Sequence, residues 1–490
     1  MSRHCGYVVK IENLRPHSNA DRLQVLTVFG LDTCVGLDVK IGDMGIYFPT
    51  DLQLSVGFCE ANNLVRKKDE AGNNIGGYLD PDKRNVGAIR LRGERSEGIY
   101  LPLFCLEYTG ANLSEFKPGD VIDVVNGKEI CCKYIPRKNT PSSGKGKNKD
   151  RLHFKKADVA PLFSEHADTE QLAYNLSKFK PGDELEVSLK MHGTSQRTGY
   201  LPVFKGYKND WWGRVANGIN PKNRMSKFVK NLYARALEYA TPIYDWGYVS
   251  GTRRTVLENY EGGYYGSNEF REEHSKMFEG KLWKGETVYY EVVGFTHTGT
   301  PIMSSADNKK LNDKEFVKQY GPTTVFSYGC SPVDDWERGP VPQSDIYVYR
   351  MTMTNIDGDV IEYTPDFMRY RCEQMGVKTV PVFFKGHITR AGIHGDGEIE
   401  YHISDGIFAG ACYGGRLIGD MVKAMAEEFY AGPDPIGKTH IREGVVVRII
   451  NRPTFTAFKH KNFEFKVLEN IVKVDADAPD MEEAQEVDNA

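Results

Sequence analysis

No apolar stretch in this chain approaches the ~20 residues that a membrane-crossing helix needs, so a helical membrane protein is excluded and no membrane partner is expected. The start, Met1 to Gly6, lacks the basic, apolar and small-residue succession of a secretory leader and runs into a strand-like segment; the expectation is a cytoplasmic protein. Cysteine is unpatterned. Nine of them, an odd number, are spread from Cys5 to Cys412 without a C-x-x-C pair, which argues against both a disulfide framework and a structural zinc site. An excess of one charge is missing too: the net charge is -4, but Asp475 to Asp488 is acidic while Lys133 to Lys156 is strongly basic. Net charge therefore does not exclude a polyanionic partner.

What is present is enough chain for more than one core, 490 residues with ordinary apolar and charged content. The segment PRKNTPSSGKGKNKD has the composition of a flexible linker, and its lysines would also attract a polynucleotide backbone. The predicted organisation is an amino-terminal module over 1–135, a basic linker over 136–150, a second domain over 151–473 and an acidic disordered tail over 474–490. Before the linker, short apolar runs such as Tyr7 to Ile11, Leu23 to Val28 and Met44 to Phe48 are separated by turn residues, as in a small antiparallel barrel. After it strands and helices mix, giving an α+β class overall. Phe228, Leu232 and Ala236 with Val229, Tyr233 and Leu237, and later Ile418, Met421, Val422, Met425 and Phe429, recur at helical spacing and predict core faces. The phrase K-P-G-D occurs at Lys117 to Asp120 and at Lys180 to Asp183, each predicted to turn the chain into a strand.

The chemistry centres on LEVSLKMHGTSQRTGY, where Lys190 ends an alternating run and a small polar turn with Gly193 follows. Alone, K-x-x-G reads as a surface lysine before an ordinary turn. Three further segments change that reading. ETVYYEVVGF puts Glu291 inside an apolar strand, where a carboxylate is costly unless it meets a cation or metal. REGVVVRII sets Glu443 ahead of a second apolar strand, and FTAFKHKNFEF sets Lys459 and Lys461 two apart, so that both ammonium groups share a strand face. A lysine nucleophile, two acids and a paired cationic clamp form the set that triphosphate chemistry requires.

In this order the segments resemble the motifs of the covalent nucleotidyltransferases, the superfamily of RNA ligases, DNA ligases and capping enzymes. Lys190 matches the motif I lysine, Glu291 motif III, Glu443 motif IV, and Lys459 and Lys461 the motif V pair. The K-x-H-G-T wording with His192 is similar to the phage RNA ligase 2 and RNA-editing ligase branch, as is KHKN followed by Phe465. GTRRTVL resembles motif Ia, with Arg253 assigned the sugar contact and Arg254 the alternative; IYVYRM resembles motif IIIa, with Tyr349 preferred to Tyr347 as the ring that stacks on adenine. HADTEQLAYN, through Asp168, Thr169, Glu170 and Asn175, resembles the adenine-recognition stretch before motif I. Two departures stand out: Leu189 occupies a position where this branch often has Glu, and the long interval from Tyr349 to Glu443 implies an insertion around His387 to Gly415. IENLRPHSNADRLQVL, VKIGDMGIYFP and IRLRGERSEGIYLPL look like the OB-fold module of bacterial nick-sealing RNA ligases, with Arg90, Arg92 and Arg95 as candidate nucleic-acid contacts.

The resemblance implies an OB-like barrel followed by an ATP-grasp-like ligase domain of antiparallel sheets with flanking helices. It implies an ATP-dependent RNA ligase that joins 3'-hydroxyl and 5'-phosphate ends through a lysyl-AMP on Lys190 and an adenylated polynucleotide. Lys459 and Lys461 would assist the transfers, Glu291 and Glu443 would hold ribose and Mg²⁺ or Mn²⁺, and His192 would serve the steps after adenylation. The partner would be RNA or a nicked RNA-containing duplex; a phage-encoded protein would act in the host cytoplasm. Two other readings stand beside it, a DNA ligase or capping guanylyltransferase of the same superfamily, and a non-catalytic OB-fold RNA-binding protein.

Overall fold

The computed structural model describes residues 4–68, 74–134, 157–167, 169–219, 226–257, 260, 265, 268–333, 341–393, 399–404, 411–412 and 418–474. The linker over 136–150 and the tail beyond 474 lie outside the described residues.

The amino-terminal module is built from short strands. One antiparallel sheet runs in the order Ile99–Pro102, Met44–Phe48, Gly6–Lys10, Val121–Ile122, and another joins Leu14–Pro16, Leu23–Val28 and Leu31–Gly36. The hairpin of Ala88–Leu91 and Glu94–Glu97 lies against the second sheet, where the Thr33 hydroxyl donates to the Glu97 carbonyl at 2.6 Å. Among the described residues these sheets do not close into the barrel expected from sequence. The strands fall into separate ladders, with Val121–Ile122 and Ile99–Pro102 as the two edges of the first sheet. The core of the module, including Ile46, Phe48, Leu54, Phe58, Leu106 and Ile130, is fully buried all the same.

Both K-P-G-D phrases form the turns predicted for them. In each, the aspartate side chain accepts from the lysine backbone N–H, at 2.7 Å for Asp120 and 2.8 Å for Asp183, and the glycine takes a positive φ. The second turn launches Glu184–Lys190, the central strand of a seven-stranded sheet. That sheet runs Glu170–Gln171, Thr456–Lys461, Gly444–Ile449, Glu184–Lys190, Val382–Ile393, Ile399–Ser404, Ala411–Cys412. All its pairings are antiparallel except the first. The long interval noted in the sequence thus supplies the sheet's far edge. The helix Ile418–Tyr430 then lays Met421, Val422 and Met425 against Leu185, Val187, Val445 and Val447.

A five-stranded antiparallel sheet, Pro242–Gly251, Thr194–Tyr207, Glu286–Gly294, Ser344–Thr354, Val360–Glu362, faces the first across a larger core. The helix Lys227–Tyr239 forms where its spacing predicts, capped by the Ser226 hydroxyl, and buries Tyr233, Ala236 and Leu237. Phe228, expected on that face, is 76% exposed, because it sits on the first turn before the packed stripe begins. Cys5, Cys34, Cys59, Cys105, Cys131, Cys132, Cys330 and Cys372 are free thiols.

A buried ion pair ties the helix Pro365–Met375 to the strand Glu286–Gly294. Arg371, near the end of the helix Pro365–Met375, donates from Nε and Nη2 to the two oxygens of Glu286, each at 2.8 Å, while the Tyr363 hydroxyl also donates to Oε1 at 3.1 Å. Their side chains are 3% and 0% exposed. Breaking a buried pair from one side leaves the other charge uncompensated. Arg371→Leu is therefore expected to destabilise the protein by about 3–5 kcal/mol, seen as a lowered midpoint in urea denaturation.

Candidate active site

Strand register alone assembles most of the site. Lys190 pairs with Gly444, which pairs with Lys461; Ser188 pairs with Val446, which pairs with Lys459; Glu186 pairs with Arg448. Because side chains alternate, Glu186, Ser188 and Lys190 share one face of their strand, while Leu185 and Val187 enter the core behind it. Gly444 makes the close approach workable. A Cβ there would lie 2.1 Å from the His460 carbonyl, and its φ of +151° is one that other residues rarely adopt.

Glu443 stands just ahead of this strand, 2% exposed, with Oε1 at 2.8 Å from Lys190 Nζ and 3.3 Å from Lys461 Nζ. Burial opposes its ionisation, but Lys190 and Lys461, with His192 behind them, more than compensate and hold the carboxyl well below the usual carboxylate range. The second oxygen, Oε2, is buried without a hydrogen-bond partner among the described residues; His192 Nδ1 is 3.7 Å away, beyond bonding distance. Lys461 is held on its other side by Glu469, whose two oxygens lie 2.9 and 2.8 Å from Nζ.

The turn after Lys190 is fixed from the second sheet. The His192 N–H donates to the Tyr328 hydroxyl at 2.7 Å and the Gly193 N–H to Glu291 Oε1 at 3.1 Å. A side chain at Gly193 would strike the Val292 carbonyl at 2.4 Å, so the turn can lie this close to the Glu286–Gly294 strand only as glycine. The His192 ring is edge-on to Phe326 and Phe465, with centroids 4.6 and 4.8 Å away.

Beside Lys190 opens a cleft lined among others by His166, Ser188, Arg253, Glu291, Tyr349 and Phe455. Tyr349 enters it because the register between Glu286–Gly294 and Ser344–Thr354 shifts at Tyr289/Tyr290, a bulge that re-aims the facing chain. Its hydroxyl lies 2.9 Å from Ser195 Oγ. Tyr347 instead is buried in the core with its hydroxyl donating to Asp345. Arg253 lines the cleft, whereas Arg254 is exposed and outside its lining. Thr169 also lines it, Asn175 is spent on the Gln171 carbonyl, and Asp168 lies outside the described residues. Of the adenine-recognition stretch, then, only part reaches the cleft.

Lys459 diverges from its partner lysine. It lines an adjoining cavity between the two modules, with Asp51 and Tyr174. Burial, then the charges of Lys461 and Lys190, push its ammonium down to about 8, with Asp51 opposing them. The amino-terminal arginines also differ from a free phosphate-binding face. Arg90 ion-pairs with Glu464 and lies over the Phe463 ring, and Arg95 stacks on the same ring 4.9 Å from its centroid. Arg92 is a turn residue with φ +49°.

Sequence reasoning missed His166, Tyr328, Phe455, Arg448 and Glu469. His166 is edge-on to Tyr349 and to Phe455; burial first, then Arg253 and Arg350, push its imidazole well below its ordinary value, so the ring is neutral. Only Glu469 carried a usable signal, since Lys461, Phe465 and Glu469 step by four into a helix.

A divalent cation would find a partial site here. Among the described residues no three His, Cys, Asp or Glu converge on a point, so an all-protein cage is lacking. The unsatisfied Glu443 oxygen and the nearby Glu291 carboxylate fit a hard cation that keeps most of its ligands as water or phosphate oxygens.

No protein-family profile matches the sequence, and no curated protein matches it either. Solved structures do match. A mutant Naegleria gruberi RNA ligase with AMP and Mn superposes with a TM-score of 0.52 at 15% identity, covering 96% of this chain and 100% of that one. A second mutant of the same ligase, with ATP and Mn, gives 0.51 at 15% identity, covering 96% and 99%. The likeness spans both modules and establishes a shared mixed α/β fold.

The Lys459 ammonium sheds its proton in the folded state below the ordinary lysine range, so the native protein binds fewer protons than the unfolded chain between about pH 8 and 10.5. Lys459→Met is expected to raise the melting temperature at pH 7. That gain should shrink as the pH climbs through this window, a trend that thermal melts at pH 7, 9 and 10 would check.

Proposed function

We propose that this protein is an ATP-dependent RNA ligase that seals 3'-hydroxyl to 5'-phosphate ends through a lysyl-AMP on Lys190. The observation that carries this reading is Lys190 and Lys461 gripping one buried carboxylate, with Lys190 lining a cleft that also holds Arg253, Glu291 and Tyr349. The fold shared with an RNA ligase solved with ATP, AMP and Mn supports it.

In the first step Lys190 Nζ attacks the ATP α-phosphate; a P–N bond forms and the bond to pyrophosphate breaks. An ammonium has no lone pair with which to attack, so Lys190 must lose a proton first. Glu443 orients the amine, but with two lysines upon it the carboxylate is a weak base, so the proton passes to solvent water as positive charge gathers around the phosphates. Lys461 adds that charge and stabilises the negative charge developing on the transferring phosphate. A divalent cation, Mg²⁺ or Mn²⁺, supplies further neutralisation when bound, with Glu443 and Glu291 the residues that would hold it. Tyr349 and His166 offer aromatic faces for the adenine, and Arg253 is the candidate ribose contact. AMP then passes from Lys190 to a 5'-phosphate end, and the 3'-hydroxyl displaces it, forming the new phosphodiester. His192 belongs to these later steps. The amino-terminal module is assigned to holding the RNA or nicked duplex as an OB-like unit.

Mass measurement after mixing with ATP and Mg²⁺ is expected to show an AMP-sized adduct that Lys190→Ala abolishes; an adduct that survives the substitution overturns the assignment. GTP in place of ATP should leave the protein unmodified. His192→Ala is expected to keep the adduct but seal a nicked RNA-containing duplex about 100-fold more slowly, and unimpaired sealing would refute the role given to it.

A further inference from the structure

The last helix of the described chain, Phe463–Val474, has two working faces. One turns to the amino-terminal module: Phe463 lies under Arg90 and Arg95, Glu464 pairs with Arg90, Lys466 pairs with Glu97, and Asn470 accepts from Asn85 Nδ2 at 3.3 Å. The approach is close enough that a Cβ at Gly87 would lie 2.3 Å from the Asn470 side chain. The other face turns to the reactive lysines. Phe465 is edge-on to His192, and Glu469 takes both its oxygens to Lys461, four and eight residues after the lysine it restrains. The two sets interleave at spacings of three and four, as they must if one rigid helix is to touch both.

These contacts are charged and sequestered. The Lys466 and Glu97 side chains are 11% and 8% exposed, and those of Lys461 and Glu469 are 9% and 13% exposed. Buried pairs of this kind are poor sources of net stability but strict about geometry. Glu469 also settles a competition. Lys190 and Lys461 both point at Glu443 Oε1, at 2.8 and 3.3 Å; without Glu469, Lys461 would move onto that oxygen and crowd Lys190 from it.

We infer that Glu469 is the positioning residue for Lys461, and that the amino-terminal module, through the Glu97–Lys466 pair, braces the helix carrying Glu469 and so governs lysine adenylation as well as any RNA contact. This rests on the ligase reading above. Glu469 touches no reacting atom; it acts by holding Lys461 where the phosphate will arrive.

The test uses the full-length protein, single-turnover formation of the lysyl-AMP adduct across an ATP titration, and melting curves for every variant. Glu469→Gln is expected to lower the maximal adenylation rate about tenfold with little change in the ATP concentration at half-maximum. Lys466→Glu and Glu97→Lys should each slow adenylation by a similar factor, and the double exchange Glu97→Lys with Lys466→Glu should recover most of it. Lys466→Met serves if the reversals fail to fold. Single variants that adenylate like wild type overturn the inference, as does an exchange that restores the melting curve without restoring the rate. Absence of any adduct on the wild type would instead count against the ligase reading itself.

Discussion

The site turns on a carboxylate that has no business being buried unless two cations meet it. Glu443 is nearly inaccessible, and Lys190 and Lys461, with His192 behind them, keep it ionised. The three charges make each other tolerable, so none can be placed without the others. Everything around them serves that placement: a glycine that lets two strands press together, a turn pinned by Tyr328 and Glu291, and a helix that holds Lys461 from behind.

Much of this arrangement was legible in the amino-acid order, because strand alternation is a simple rule. Lys459 and Lys461 two apart, and Glu186, Ser188 and Lys190 likewise, define faces before any coordinates are known. What the rule does not contain is what lies across from each face. Lys459 shares its strand face with Lys461, yet it meets a cavity walled by Asp51, a residue of another module. Tyr349 and Tyr347 stand two apart on one strand, and a register shift at their neighbours separates a cleft residue from a core residue. His166 carried no pattern at all, since its neutrality and its aromatic neighbours come from three distant segments.

The amino-terminal module shows the same limit from the other side. Its strand-forming runs were readable, but closure into a barrel depends on which strands pair with which, and here they fall into separate sheets. Arg90 and Arg95, apparent candidates for binding a polyanion, are engaged with Glu464 and the ring of Phe463. An arginine in a sequence announces a charge; it does not say whether the charge faces solvent or another part of the same chain.

The Glu184–Lys190 strand lies in the middle of its sheet, yet both strands that flank it come from much later in the chain. During synthesis, then, the segment bearing Lys190 leaves the ribosome with neither edge covered, and its acidic partner, its clamp lysine and the bracing helix follow only much later in the chain. Such long-range pairing folds slowly and leaves nascent strand edges open to association with other chains. It also means that a truncated translation product carries the lysine without the groups that would activate it. Reactivity is withheld until the chain has been made through Glu443, Lys461 and Glu469.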